Sequence, residues 1–297
     1  MRTVRTVDEL RFALAPARRE GRRIGLVPTM GALHDGHLSL IARARAECDI
    51  VVVSLFVNPA QFDEREDLQR YPRRERHDAD LAATAGAGLL FAPSVDEVYP
   101  HGFATAVEVL GVGDRLEGAA RGREHFRGVS TVVTKLLGMA MPDVAYFGQK
   151  DAQQVVVVRR LVADLNLPVR IQVCPTVRDP DGLAMSSRNS RLSARERSQA
   201  LALPHALQAA ARRAAEGERS ASALLDAARA AMSARGVEPE YVELVDPETF
   251  EPCELLERDA LLAIAARIGE TRLIDNAVLR PSAVGAPRQP APRKAIA

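Results

Sequence analysis

Lysine is nearly absent from this chain. Of 40 basic residues among 297, three are lysine, Lys135, Lys150 and Lys294, and the others are arginine. The planar guanidinium fork is therefore the default, and a compact ammonium charge stands out wherever a motif holds one. Cysteine is also sparse. Cys48, Cys174 and Cys253 lie far apart and form no CxxC pair, which excludes a disulfide framework and a cysteine zinc site. They read as small buried hydrophobes. No apolar run approaches the roughly 20 residues of a membrane span. The opening MRTVRTVDELRFAL spreads its charges and has no signal-peptide core, so a cytoplasmic location is expected. The formal net charge of +1 gives no case for a nucleic-acid coat or an anionic membrane surface. Internal repeats are missing too. What remains is an ordinary globular composition, 47% hydrophobic and 27% charged, long enough for one large or two ordinary domains with a sizeable core.

Apolar patterning sets the fold class. RRIGLVPT (Arg22–Thr29) reads as a buried strand. LSLIARARAEC (Leu38–Cys48) reads as a helix with Leu38, Ile41 and Ala42 on its apolar side. DIVVVSLFVN (Asp49–Asn58) is too uniformly β-branched for a half-exposed strand and suits the middle of a parallel sheet. The alternation continues with a helix and strand ending at Gly88–Ala92. A helix over Gly128–Met141 follows, with Val132, Val133, Leu136 and Leu137 inward. Then come VAYFGQ, the helix AQQVVVVRRLVADLN and the strand PVRIQVCPT. This predicts an α/β fold, a Rossmann-like doubly wound parallel sheet, over residues 1–176. After Thr176 the pattern changes to a helix over Leu192–Glu216, opened by the capping box Ser193–Glu196, and a second over Ser220–Arg235. Three strand candidates end the pattern, YVELVD, ALLAIAARIG and TRLIDNAVL. These predict a smaller C-terminal α+β domain over 177–282. The Pro- and Ala-rich tail 283–297 is expected to be disordered.

Four short segments carry candidate chemistry. PTMGALHDGH (Pro28–His37) sits where the first strand gives way to its helix, the place where open α/β sheets bind ligands. It contains no GxGxxG, and Gly31 and Gly36 have Walker spacing without the Lys-Ser/Thr that must follow. His34 and His37, three apart on a helical turn, share a face. Gly36 admits a phosphate to the backbone, and the free N–H groups of the helix start favour anions. A nucleotide site and a plain helix cap both suit this pattern. A metal site suits it less, since zinc histidines on a helix prefer i, i+4 and no third ligand is evident. GQKDAQQ (Gly148–Gln154) is a second strand-to-helix junction, with Lys150 for phosphate oxygens and Asp151 for a ribose hydroxyl or a helix cap. AMSSRN (Ala184–Asn189) offers two hydroxyls and an arginine, suited to phosphate or to an ordinary loop. FVNPAQF (Phe56–Phe62) puts the neutral amides Asn58 and Gln61 at a strand end, where turn chemistry is the competing reading.

Together and in this order, PTMGALHDGH, FVNPAQF with its following RYPR, GQKDAQQ and AMSSRN resemble the pantothenate synthetase (pantoate–β-alanine ligase) family, a branch of the HxGH nucleotidyltransferases. LEGAARGREHFRGVSTVV lies between them as that family expects. The resemblance covers roughly residues 25–280. HxGH alone marks only the superfamily; the four segments in sequence are far more specific. Asp35 and Gln149 stand where the family has Glu, and Ala152 replaces an aromatic. The segment Arg121-Gly-Arg-Glu-His125-Phe126 carries an extra residue, which leaves open whether Arg121 or Arg123 takes the place of the family's arginine.

The resemblance implies an ATP-dependent ligase. In it (R)-pantoate attacks the α-phosphate of ATP, and β-alanine then displaces AMP from pantoyl adenylate to give pantothenate, the precursor of coenzyme A. It implies His37, His34 and Lys150 as the catalytic donors. ATP would be held by Met30, Gly31, Ala32, Leu33, His34, Asp35, Gly36 and His37, with Gly148, Gln149, Lys150, Asp151 and Val177 around adenosine. Met185, Ser186, Ser187 and Arg188 would close over the phosphates from the C-terminal domain. Gln61 and Gln154 would hold pantoate, with Met30, Phe62 and Asn58 beside it. Mg²⁺ would ride on the ATP phosphates without a dedicated set of protein ligands, with Asp78, otherwise an exposed helical acid, as possible support. The family also implies a homodimer, with no nucleic-acid or membrane partner. Three competing readings are another HxGH enzyme forming a phosphoanhydride, a tRNA-charging enzyme and a nucleotide sensor without turnover. The Gln61/Gln154 pair argues against the first, because a phosphorylated substrate calls for more cationic groups. The near-neutral charge argues against the second.

Overall fold

The computed structural model describes residues 1–62 and 65–282, so the tail expected to be disordered lies outside the described residues. The chain runs β1 (Arg2–Val4), α1 (Val7–Arg19), β2 (Ile24–Thr29), α2 (Asp35–Glu47), β3 (Ile50–Leu55), α3 (Arg65–Arg70), α4 (Glu75–Thr84), β4 (Leu89–Phe91), α5 (Val95–Val98), α6 (Glu117–Arg121), α7 (Arg123–Ala140), β5 (Val144–Gly148), α8 (Ala152–Asp164) and β6 (Arg170–Cys174). Then follow α9 (Ala194–Ala200), α10 (Ala202–Ala215), α11 (Ala221–Ser233), β7 (Pro239–Val245), β8 (Ala260–Ile268) and β9 (Thr271–Leu279).

The first six strands make one parallel sheet in the order β1-β4-β3-β2-β5-β6. The central β3 is buried along Val51–Ser54, as its unbroken β-branched run predicts for a strand covered on both faces. Helices α1, α7 and α8 cover one face with a core that includes Leu10, Leu14, Val133, Leu137 and Leu161. Helices α2 and α4 cover the other through Ile41, Ala44 and Ala82. Strand order reverses between β2 and β5. Their carboxyl ends, Thr29 and Gly148, therefore open onto the crevice where such sheets take ligands. The remaining strands form the antiparallel sheet β7-β8-β9, packed on α10 and α11 around Leu203, Leu224 and Ile264.

Several local expectations shift. In α2 the buried residues are Leu40, Ile41 and Ala44, with Leu38 partly covered and Ala42 exposed. The helix starts at Asp35 and sets the phase by its packing on β2 and β3. The helix expected over Leu192–Glu216 is two, broken at Leu201. Pro204 has no N–H to give to the carbonyl of Ala200 and its ring crowds that carbonyl, which breaks the run here. The capping box of Ser193 and Glu196 is present, with Ser193 N–H on Glu196 at 2.9 Å and Glu196 N–H on Ser193 Oγ at 3.3 Å. Helix α7 begins five residues before Gly128. The pairing of β1 and the helix α1 went unread, although Thr6 and Glu9 form a second capping box.

One close approach fixes the site-bearing turn. A Cβ on Gly128 of α7 would stand 2.0 Å from the Ala60 carbonyl oxygen, so the helix backbone lies directly against the turn Pro59–Gln61. Gly128→Ala forces backbone apart rather than a flexible side chain. It is expected to destabilise by about 1–3 kcal/mol, the range for overpacking, read as a lower denaturation midpoint at unchanged m-value.

Candidate active site

The turn after β2 is strained in a specific way. Gly31 has φ +87° and Ala32 φ +52°, two successive residues in the left-handed region, which costs energy at the alanine. Asp78 of α4 holds the turn. It is 1% exposed, and its two carboxylate oxygens accept the N–H groups of Ala32 (3.0 Å) and Leu33 (2.9 Å). This corrects the sequence expectation of an exposed helical acid: Asp78 is buried, and each of its oxygens already accepts one backbone N–H.

The held turn delivers His34 to the N-cap position of α2. His34 Nδ1 accepts the Gly36 N–H at 3.2 Å, and His37 Nδ1 accepts the His34 N–H at 3.4 Å. The ring centroids are 4.2 Å apart. With each Nδ1 accepting from backbone, a neutral ring carries its proton on Nε2. Burial, with Lys150 and the neighbouring ring adding to it, pushes His37 down to about 3. Burial and then Lys150 lower His34. Two uncharged rings thus present two N–H donors. A Cβ on Gly36 would stand 2.8 Å from the His34 ring, so this glycine gives the imidazole its place.

Both histidines line one cleft of about 1340 Å³ between the two sheets. Of the residues the sequence offered, Met30, Gly36, Gln61, Phe62, Gly148, Lys150, Asp151, Gln154, Val177, Met185, Ser186, Ser187 and Arg188 line it with them. Gly31, Ala32, Leu33, Asp35, Gln149 and Asn58 do not. Gly31, Ala32 and Leu33 form the turn beneath His34. Asp35 is exposed at the helix start. Asp151 holds the N-cap position of α8 yet makes no capping hydrogen bond, so its carboxylate is not spent on the helix. Ser186 accepts the Arg188 N–H at 3.2 Å. The Met185 N–H on Val177 O at 3.0 Å turns this loop back over α2.

Gln61 is held from three sides. Its carbonyl accepts from Arg121 Nη2 and His125 Nδ1, each at 3.2 Å, and its side-chain oxygen accepts from Asn58 Nδ2 at 2.9 Å. Arg121 lines the cleft, whereas Arg123 points away to Glu108; the cleft-side arginine of this segment is Arg121. Burial, then Arg121, lowers His125 to about 4.

Several contributors to the cleft wall escaped the sequence reading. Glu117 accepts from Nη1 and Nη2 of Arg272, each at 2.7 Å, and from the Tyr241 hydroxyl at 2.7 Å. Asn276 Nδ2 donates to the carbonyls of Gln149 (3.0 Å) and Lys150 (2.9 Å). These pairs are 124 or more residues apart in sequence, and no local pattern announces them. Tyr71 of RYPR, ring-packed on Phe62 at 5.5 Å, reaches Ser187.

The family model described as pantoate–β-alanine ligase matches residues 2–278. "Pantothenate synthetase 1" of Bradyrhizobium diazoefficiens is 52% identical over 280 residues, covering 94% of this chain and 98% of that protein. The pantothenate synthetase of Cereibacter sphaeroides strain ATH 2.4.9 is 54% identical over 274 residues, 92% of this chain and 98% of that one. The crystal structure of pantothenate synthetase from Thermus thermophilus superposes with a TM-score of 0.90 at 47% identity, covering 95% of this chain and 100% of that chain. The pantoate–β-alanine ligase of Francisella tularensis, solved with βγ-ATP and β-alanine, superposes with a TM-score of 0.78 at 34% identity, covering 94% and 97%.

The buried neutral histidines have a consequence for stability. Their folded pKa values, about 3 for His37 and about 4 for His125, lie below the ordinary value near 6.5. Below that value the unfolded chain takes up protons that the folded chain refuses. Their contribution is therefore fully present above about pH 6.5 and is lost as pH falls toward 4 and then 3. Urea midpoints at pH 7.5 and pH 5 should differ less for His37→Gln and His125→Gln than for the parent. Equal differences would refute the assignment.

Proposed function

The chain belongs to the pantoate–β-alanine ligase family, and we propose that its cleft joins pantoate to β-alanine through an acyl adenylate built at His34, His37 and Lys150. The enzyme is an ATP-dependent ligase that forms the amide of pantothenate. In the first half-reaction a pantoate carboxylate oxygen attacks the α-phosphorus and pyrophosphate leaves. The carboxylate is already ionised near neutral pH, so this step needs no general base. The demand is for donors that meet charge growing on phosphate oxygens. Two Nε2–H groups and an ammonium answer it. In the second half-reaction the β-alanine amine attacks the acyl carbon, loses a proton and expels AMP.

The carrying observation is the backbone hold on both Nδ1 atoms, which aims the donor edge of each ring away from the helix. Neutral donors give hydrogen bonds that strengthen as charge develops, without the fixed attraction to ground-state ATP that two imidazolium ions would exert. Lys150, with no protein partner for its ammonium among the described residues, spans the α- and β/γ-phosphates in this reading. Gly148, Gln149, Asp151 and Val177 surround adenosine. Met185–Arg188, part of the smaller 177–282 unit, cover the phosphates and exclude water from the adenylate. Gln61 and Gln154 hold pantoate, with Met30 and Phe62 against its dimethyl carbon. Amides bind the nucleophilic carboxylate without the deep ground-state well of an arginine pair.

Mg²⁺ enters on the phosphates. With both Asp78 oxygens on backbone N–H groups, Asp151 is the acid beside Lys150, close enough to act on His34 through space. A homodimer in the cytoplasm completes this reading, on the family resemblance.

Pyrophosphate–ATP exchange tests it. With pantoate present and β-alanine absent, purified protein should exchange label, and His37→Ala and Lys150→Ala should each lower the rate by at least about 100-fold, the scale for losing one transition-state donor. Exchange that ignores pantoate, or survives both substitutions, would refute the assignment.

A further inference from the structure

Asn58 lies behind Gln61 and does not reach the cleft. It is 1% exposed, and every polar atom of its carboxamide is used. Nδ2 donates to the Gly128 carbonyl at 3.1 Å and to Gln61 Oε1 at 2.9 Å. Oδ1 accepts the Ala60 N–H at 3.3 Å and the Tyr99 hydroxyl at 2.8 Å. The orientation is not a matter of choice. A carbonyl can only accept and a backbone N–H can only donate, so Gly128 O fixes the nitrogen side and Ala60 N–H fixes the oxygen side. Tyr99 must then donate. Asn58 has only a donor to show Gln61, which must answer with its oxygen. The Gln61 NH2 group is left for the cleft.

We infer that Tyr99 is a positioning residue for the ligation reaction, acting through Asn58 to lock the Gln61 carboxamide with its NH2 group toward pantoate. This rests on the reading of Gln61 as a pantoate-binding residue. Tyr99 is itself well seated. Its ring packs on Phe56 (centroids 6.1 Å) and edge-on against Phe103 (5.1 Å). Lys135 stands over the Phe103 ring at 4.5 Å and the Tyr99 ring at 5.9 Å, within cation–π range. Burial pushes the phenol up to about 12, so it remains a donor over the working pH range. A flipped Gln61 would present a carbonyl oxygen to a carboxylate, exchanging a hydrogen bond for a repulsion. The substrate class this lock favours is one that offers an acceptor at that point, an ionised carboxylate or an ether or hydroxyl oxygen.

The test is a double-mutant cycle on steady-state ligation with ATP and pantoate varied separately. Tyr99→Phe keeps the ring packing and removes the donor. It should raise KM for pantoate roughly three- to tenfold, the scale of one neutral hydrogen bond, with KM for ATP and the melting temperature close to parent. Gln61→Ala should raise KM for pantoate further. Adding Tyr99→Phe to Gln61→Ala should then change it no more, because the path runs through the amide that has gone. A pantoate KM unmoved by Tyr99→Phe, or multiplied again in the double variant, overturns the role of Tyr99 while leaving Gln61 in place. A pantoate KM unmoved by Gln61→Ala overturns the pantoate reading and the inference with it.

Discussion

One buried carboxylate holds the catalytic end of this molecule in place. Asp78 reaches from α4 to the turn after β2 and takes the N–H groups of Ala32 and Leu33. That turn has to reverse within a few residues, from a strand that ends at Thr29 to a helix that starts at Asp35. It does so through consecutive positive φ angles at Gly31 and Ala32. A non-glycine residue in that region stays there only where its surroundings over-determine it. Two hydrogen bonds donated by these backbone N–H groups to a buried carboxylate supply the determination. Everything downstream inherits the geometry: His34 as the cap of α2, His37 one turn on, and the aim of both Nε2–H groups.

The same division between residues that line the cleft and residues that hold them recurs on the other wall. Gln61 faces the cleft, while Asn58, Tyr99, His125 and Arg121 set it from behind. Lys150 faces the cleft, while Asn276 from β9 holds the carbonyls of Gln149 and Lys150. In each case the aimed group sits on a short turn at a strand end, where the backbone alone would leave it loose. The supporting groups are buried or half-buried behind the cleft wall, on α7 and β9 for His125 and Asn276 and at element ends for Asn58, Tyr99 and Arg121. A site that must stabilise charge without a general base depends on such placement, since its catalytic power is electrostatic and falls steeply with misalignment.

How much of this is legible in the sequence follows the range of the interaction. The parallel sheet announces itself because β3 is a run of β-branched residues with no polar face, and helix, strand and motif order follow locally. His34, His37, Lys150, Gln61 and Gln154 are readable because they occupy strand-to-helix junctions, and all five reach one cleft. The phase of α2 departs from its own apolar spacing at Ala42, because packing on β2 and β3 puts Leu40, Ile41 and Ala44 inward. The break at Leu201 is written in Pro204, but the alanine-rich run around it masks the signal. Asn58 reads as a group beside substrate. It lies one layer further back, since a strand-end amide looks the same in sequence whether it faces ligand or protein. Glu117–Arg272 and Asn276 have no local signature at all.

Those last contacts bear on how the smaller sheet can move. A hinge after Thr176 would let residues 177–282 swing freely, as a two-domain sequence pattern suggests. The chain instead crosses the junction at several points. Arg272 and Tyr241 grip Glu117, and Asn276 grips the turn that carries Lys150. Val245, Phe250 and Leu261 form one apolar cluster with Ala152 and Val156 of α8. Breaking the pairing would strand Glu117, which is 8% exposed, and an unpaired buried carboxylate costs several kcal/mol. Opening by a full swing is therefore opposed by charge burial and by apolar area together. Any closing of the cleft would have to pivot about these contacts, since the turn that carries Lys150 keeps its anchor on β9.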